Sequence, residues 1–268
     1  MPISMPTQSS TASFPVEYMV TELDALGYSR RCMVGTGILV GGYVLAIAQV
    51  IPPVALPLIV LLVLPRWMIN VHELLHIYDE QQLNRFICLM GVSPVPLSVI
   101  SLSYGEIRTQ HFAHHAAPAQ ANDPDFYHIK GNWGQAIFNA FTSPEQSALR
   151  WIATHGLTPQ LAFDLAIKLI ILVALAALGG PLFIWFWLSL RLVYGLGDLA
   201  FFRLVHHQQG EYGTFGLPWP PWAIQLSTLV FGATVTNATL NHDVHHQNPY
   251  LAARALPAAA IAHNGGTP

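Results

Sequence analysis

Residues 54–76 read VALPLIVLLVLPRWMINVHELLH, an apolar run that passes straight into two histidines four positions apart. A run of that length can cross a hydrocarbon layer about 30 Å thick. On a helix, positions i and i+4 share a face, so His72 and His76 stand together where the span ends. One such pair alone would more often be two solvated rings on a surface helix, so its meaning depends on the rest of the chain, beginning with the composition. Of 268 residues, 53 % are hydrophobic and 9 % charged, far under the roughly 25 % charge of an ordinary soluble domain. A net charge of −3 offers no basic field for phosphates, so no nucleic-acid partner is expected. Cys32 and Cys88 form neither a CxxC metal pair nor a disulfide framework. The 13 histidines outnumber the 11 lysines and arginines, and histidine is the commonest side-chain metal ligand.

Three further apolar runs complete the membrane plan. Met33 to Ile51 follows Arg30 and Arg31 and ends at Pro52 and Pro53, while Leu161 to Leu178 and Leu182 to Leu199 are joined by Gly179, Gly180 and Pro181. That link is too tight for anything but a hairpin. The hairpin tips carry no Lys or Arg, whereas Arg66, Arg85, Arg108, Lys130, Arg150, Arg203 and Arg254 fall on the side of Arg30, which the positive-inside rule assigns to the cytosol. The expected fold is an all-α membrane protein with four transmembrane helices in two hairpins and a histidine-rich cytosolic cap. Residues 1–30 read as a polar N-terminal tail, 31–255 as the membrane domain and 256–268 as a surface tail. Phe86 to Leu102 and Ala223 to Leu240 are apolar but interrupted by prolines or polar groups. Both read as re-entrant or interfacial pieces, because an odd crossing would divide the histidines between the two faces of the bilayer. Within the spans, Gly37 and Gly41 offer a close-contact step, Asp164 and Lys168 are spaced to neutralise each other, and Arg191 has no evident partner.

The sets His111-Phe112-Ala113-His114-His115 and His242-Asp243-Val244-His245-His246 share one pattern, and each puts three imidazoles on one helical face. With His72 and His76 they supply eight ligands, about twice what one zinc ion accepts, so two metal ions are expected. Imidazole suits Zn, Cu, Fe and Ni, and the lack of clustered thiolates argues against blue-copper and iron–sulfur centres. Spacing alone leaves iron against zinc open.

These three sets, in this order and with a hairpin between the second and third, resemble the histidine boxes of the membrane-bound fatty acid desaturase and hydroxylase superfamily. The resemblance covers roughly residues 34–255. It implies a four-helix membrane stalk with a cytosolic cap and a non-haem di-iron centre, two iron ions that use O2 as co-substrate. It also implies a separate electron-donor protein of ferredoxin, rubredoxin or cytochrome b5 type, since the chain has no His-Pro-Gly-Gly of its own. Family sites often draw a ninth histidine from beyond the fourth span. In Arg203-Leu204-Val205-His206-His207, His207 takes that place, with His206 as the alternative. The expected metal ligands are thus His72, His76, His111, His114, His115, His207, His242, His245 and His246. Glu73, Asp123, Asp125, Asp198 and Asn241 are candidates to hold those rings or a metal-bound water in place.

The substrate is expected to be a long lipid resident in the bilayer. The His245-His246-Gln247-Asn248-Pro249 string looks like acyl desaturases, whereas the region from His111 through Phe126 to Trp133 and Phe138 looks like carotenoid ketolases. Fatty acyl desaturation is the leading expectation, with carotenoid ketolation or hydroxylation, or hydroxylation of an alkane or other lipid, as alternatives. Two other classes compete. Glu73 makes the first set a literal HExxH, the signature of zinc peptidases, and Asn122-Asp123-Pro124-Asp125 is similar to a ligand motif of intramembrane proteases, but six or seven histidines are then left without a role. A metal or haem transporter would want polar groups along the spans, where only Asp164, Lys168, Arg191 and Asp198 qualify.

Overall fold

The computed structural model describes residues 14–263. In chain order its helices are α1 (Glu22–Ile47), α2 (Ala55–Ile77), α3 (Arg85–Met90), α4 (Tyr104–Ala116), α5 (Phe126–Ile129), α6 (Trp133–Phe141), α7 (Ser143–His155), α8 (Pro159–Gly179) and α9 (Pro181–Asp198). A π-helical segment, Leu199–Leu204, extends α9. After it come a small hairpin of β1 (His207–Gln208) and β2 (Glu211–Tyr212), then α10 (Pro221–Phe231), α11 (Ala233–Leu240), α12 (His242–Gln247) and α13 (Leu256–His263). Four helices are long and apolar enough to cross a membrane: α1, α2, α8 and α9 with its extension. Helix α2 is the most enclosed of the four and α8 the least. Packing radiates from α2, which lies against both α1 and α9.

Helix α1 starts earlier than the hydropathy suggests. Thr21 and Asp24 form a capping box, each side chain accepting the other's backbone N–H, which satisfies two otherwise orphaned donors. Residues 22–30 are therefore helical, with Ala25 and Tyr28 buried, and the expected N-terminal tail is helix over its last third. Residues 1–13 of it lie outside the described residues. The close approach of α1 to α2 also falls elsewhere than expected. Added methyls at Gly35 and Gly42 would sit 3.3 Å from Val63 and 3.0 Å from Ile59, whereas Gly37 and Gly41 face open space.

Neither doubtful apolar stretch forms a helix long enough to cross. The first contains only α3 and an irregular run in which the Ser93 and Ser98 hydroxyls donate to carbonyls two residues on. The second is broken at Gly232, whose φ of 89° favours glycine. Arg66 then caps the last turn of α10 through the carbonyls of Val230 and Phe231. Lys168 is buried on α8 and does not pair with Asp164. Its ammonium donates to the carbonyls of Ser101 and Leu102, both at 2.9 Å, and Asp164 accepts from Gln160 instead. Arg191 has partners after all, the Glu145 carboxylate at 3.0 Å and the Phe141 carbonyl at 2.8 Å. The expected C-terminal surface tail is also corrected. Through residue 263 it is α13, whose Leu256 and Ala259 are fully buried against Val244, Leu251 and Ala253, because an alanine-rich helix can pack closely on the histidine-bearing α12.

Candidate metal centre

Helix α2 carries His72 and His76 in its last two turns, and α4 is fastened across that end. The Tyr104 hydroxyl lies 2.8 Å from the carbonyls of Leu74 and Tyr78, and the Arg108 guanidinium donates to the Leu75 carbonyl at 2.9 Å. The Leu75 and Tyr78 carbonyls lie where a helix end leaves acceptors free, and these contacts bring the second histidine set against the first. Helix α12, seated on α13, presents the third.

Nine imidazoles converge in two adjacent groups. His72, His76, His111, His115 and His245 form one, and His114, His206, His242 and His246 the other, with the ligand atoms of each group within 4.8 Å of one another. His76 Nε2 is 2.9 Å from His111 Nε2 and 3.1 Å from His245 Nε2. His242 Nε2 is 3.2 Å from His206 Nε2 and 3.0 Å from His246 Nε2. One N–H cannot serve two such neighbours. Nitrogens bound at about 2.1 Å to a common ion stand roughly 3.0–3.4 Å apart for angles between 90° and the tetrahedral value, so the spacing fits shared cations. Nε2 of His72 and both nitrogens of His115 are buried without a hydrogen bond, and a bound ion would give each ring the partner that the protein does not supply. The donor set suits two borderline metal ions such as iron or zinc.

Eight of the nine expected ligands belong to these groups, and His207 does not. It sits half-buried in the β1–β2 hairpin with its ring 4.6 Å from that of Tyr212, while His206 is fully buried. The π segment gives the reason. Its i→i+5 hydrogen bonds absorb one residue relative to an α-helix, so the register beyond Leu204 moves by one position. His206 is fixed by a 2.8 Å bond from Nδ1–H to the Gly213 carbonyl, which leaves the Nε2 lone pair directed at its group.

Carboxylates orient two more rings. Asp123 takes His114 Nδ1 at 2.8 Å and also accepts the backbone N–H groups of Ala119 and Asp125; Glu73 takes His72 Nδ1 at 3.2 Å. The other three candidates make no hydrogen bond to the nine rings. Asp125 accepts from Gln110, Asn241 donates to the Asn237 carbonyl, and Asp198 holds His128 Nδ1 at 2.9 Å and the Ser143 hydroxyl at 3.1 Å. His128 was missed because it stands alone in the sequence. The acid at the inner end of the fourth span was its only trace, since a buried carboxylate there needs a partner.

Burial, and secondarily the neighbouring imidazoles, hold His111, His115, His242, His245 and His246 well below the ordinary 6.5, and burial with His114 brings His206 down to about 3. Neutral imidazole is the form that binds metal. Burial lifts the Asp125 carboxyl to about 6. At His128 burial works downward, but the carboxylates around it, Asp198 foremost, outweigh that and its pKa lies above the usual value.

A cavity opens against both groups. His72, His111, His114 and His242 stand on its wall, Phe201 and Phe202 line it beside them, and Met68, Leu75, Val95, Leu97 and Ile107 make much of the remainder apolar. Compared with protein-family models, with curated proteins and with solved structures, the chain matches none.

Proposed function

We propose that this protein is an O2-dependent di-iron oxidoreductase of the membrane that acts on a long lipid, with desaturation of a fatty acyl chain as the leading reaction. One observation carries the reading: two adjacent groups of converging imidazoles stand on the wall of one largely apolar cavity. The groups would hold two iron ions, which when bound supply activation of O2 with electrons from a separate donor protein of ferredoxin, rubredoxin or cytochrome b5 type. The chain's own part is to fix and to exclude. Asp123, Glu73 and the Gly213 carbonyl set the tautomers of His114, His72 and His206. Phe201 and Phe202 lay apolar rings against the same histidines and keep water from the reacting carbon. The spans form two hairpins, with the centre on the cytosolic side where the arginines gather. A substrate then reaches the cavity from within the bilayer.

The zinc-peptidase reading loses its base. Glu73 is buried and its carboxylate is engaged by His72 Nδ1, whereas a peptidase glutamate must be free to take a proton from water. Metal analysis of protein purified in detergent tests the proposal: close to two metal atoms per chain, mainly iron, are expected. A single zinc without iron sinks it. Mass spectrometry of lipids from a host that makes both unsaturated acyl chains and β-carotene then separates acyl desaturation from carotenoid oxygenation.

A further inference from the structure

The cavity wall carries one polar group that the metal reading does not use. His128 is 4 % exposed and lines the cavity. Its Nδ1 is taken by Asp198, which the Ser143 hydroxyl holds from the other side. Its Nε2 has no hydrogen-bond partner among the described residues, although the ring is clamped face-on by Phe202 at 4.5 Å. A ring nitrogen open to the cavity, on a ring that neighbours on two sides hold in place, is a fixed hydrogen-bonding group that an occupant displacing water must either complete or leave unpaired. Phe202 also links this ring to the centre, because its own ring stands 5.8 Å from that of His114. A single phenyl ring packs against both imidazoles.

We infer that His128 Nε2 hydrogen-bonds an oxygen of the substrate, so that the substrate class is a long apolar lipid with a hydroxyl or carbonyl within a few carbons of the carbon that is oxidised. This rests on the proposed lipid oxidation and narrows it. A chain oxidised far from its polar end would leave His128 facing methylenes, and the nitrogen unsatisfied. Asp198 is the positioning residue: it touches no substrate and acts by holding the imidazole.

Binding of paired probes tests the inference without turnover. Hexadecan-1-ol and hexadecane are measured on the full chain in one detergent, and the ratio of their affinities is compared between variants, which cancels partition into micelles. The ratio is expected to fall about tenfold in His128→Phe, the size of one buried hydrogen bond. It should fall by a smaller factor in Asp198→Asn and be partly restored in His128→Gln. An unchanged ratio in His128→Phe overturns the inference while leaving the lipid site intact, whereas failure of both probes to bind the wild-type protein overturns the lipid reading itself and the inference with it. A variant-free measurement covers the case of misfolding. Hexadecan-1-ol with a diazirine at carbon 2, irradiated on the wild-type protein, should label residues 126–129 or 198–202, and labelling confined to other segments overturns the inference.

Discussion

The two imidazole groups use one kind of side chain and are held in different ways. In the four-histidine group, His114 and His206 are tied at Nδ1, one by the Asp123 carboxylate and the other by the Gly213 carbonyl. In the five-histidine group only His72 is tied, by Glu73 at the longer distance of 3.2 Å, and both nitrogens of His115 are open. Protein contacts therefore orient the smaller group before any ion arrives, while the larger one depends on the ion to organise it. Preorganised ligands lose less freedom on binding, so the four-histidine group should fill first as metal is titrated into metal-free protein.

The largest effect should come from removing a ring at the heart of either group. His76 Nε2 is the shared neighbour of His111 and His245, and His242 Nε2 of His206 and His246. His76→Ala and His242→Ala are each expected to lower metal content from about two atoms per chain to one or fewer. Elemental analysis of the purified variants checks this. Retention of two metals in either would remove that residue from the centre, and equal metal affinity in the group that each variant leaves intact would erase the contrast drawn above.

Protons should not respect the contrast, because both groups contain histidines with lowered pKa, among them His111, His115 and His245 in one and His206, His242 and His246 in the other. In the unfolded chain such a ring takes its proton near 6.5, whereas in the folded, metal-free protein it waits until far lower pH, about 3 for His206. The unfolded state thus binds more protons between those values. Stability is fully present above 6.5 and is lost as pH falls below it, by about 1.4 kcal/mol per pH unit for each histidine. Thermal unfolding of metal-free protein in detergent should show a Tm that is level from pH 8 to 7 and drops steeply from 6.5 to 5. A Tm that is flat across that range would mean the rings are not buried and neutral together.

Much of this was legible in the residues because helical periodicity is local. Histidines at i, i+3 and i+4 announce three rings on one face, and apolar runs of span length announce themselves by composition alone. What stayed hidden depends on contacts or on hydrogen-bond register. The π segment puts His206 rather than His207 among the nine converging imidazoles, and nothing in Leu199 to Leu204 marks i→i+5 bonding. His128 and Asp198 are 70 positions apart, so neither residue signals the other. Gly35 and Gly42 matter because of where Val63 and Ile59 fall on the facing helix, while the adjacent Gly37 and Gly41, more regular in spacing, look into open space.

Substituting the carboxylates behind the rings should give an intermediate effect and ranks the two groups. Loss of such a hydrogen bond typically costs about 10- to 100-fold in metal affinity or activity. Asp123→Asn should lie at the upper end and Glu73→Gln at the lower, since Asp123 is closer to its histidine and also holds the Ala119 and Asp125 amides that shape the loop after α4. Competition with a chelator gives the affinities. The reverse order would show that the five-histidine group is the one the protein orients, and so invert the comparison.

The smallest effect is expected at the residue that sequence reasoning favoured. His207 faces Tyr212 in the hairpin, reaches neither group and is half-buried, so His207→Ala should leave metal content at the wild-type value and shift stability by no more than about 0.5 kcal/mol, as surface changes do. His206→Ala, one position away, should empty the four-histidine group, because it removes both the Nε2 aimed at His242 and the ring tied to Gly213. Measured side by side, the two variants test the π-helical register directly. If His207→Ala loses metal and His206→Ala keeps it, the segment Leu199–Leu204 winds as an ordinary α-helix in the working protein, and the preorganisation argued for the four-histidine group falls with it.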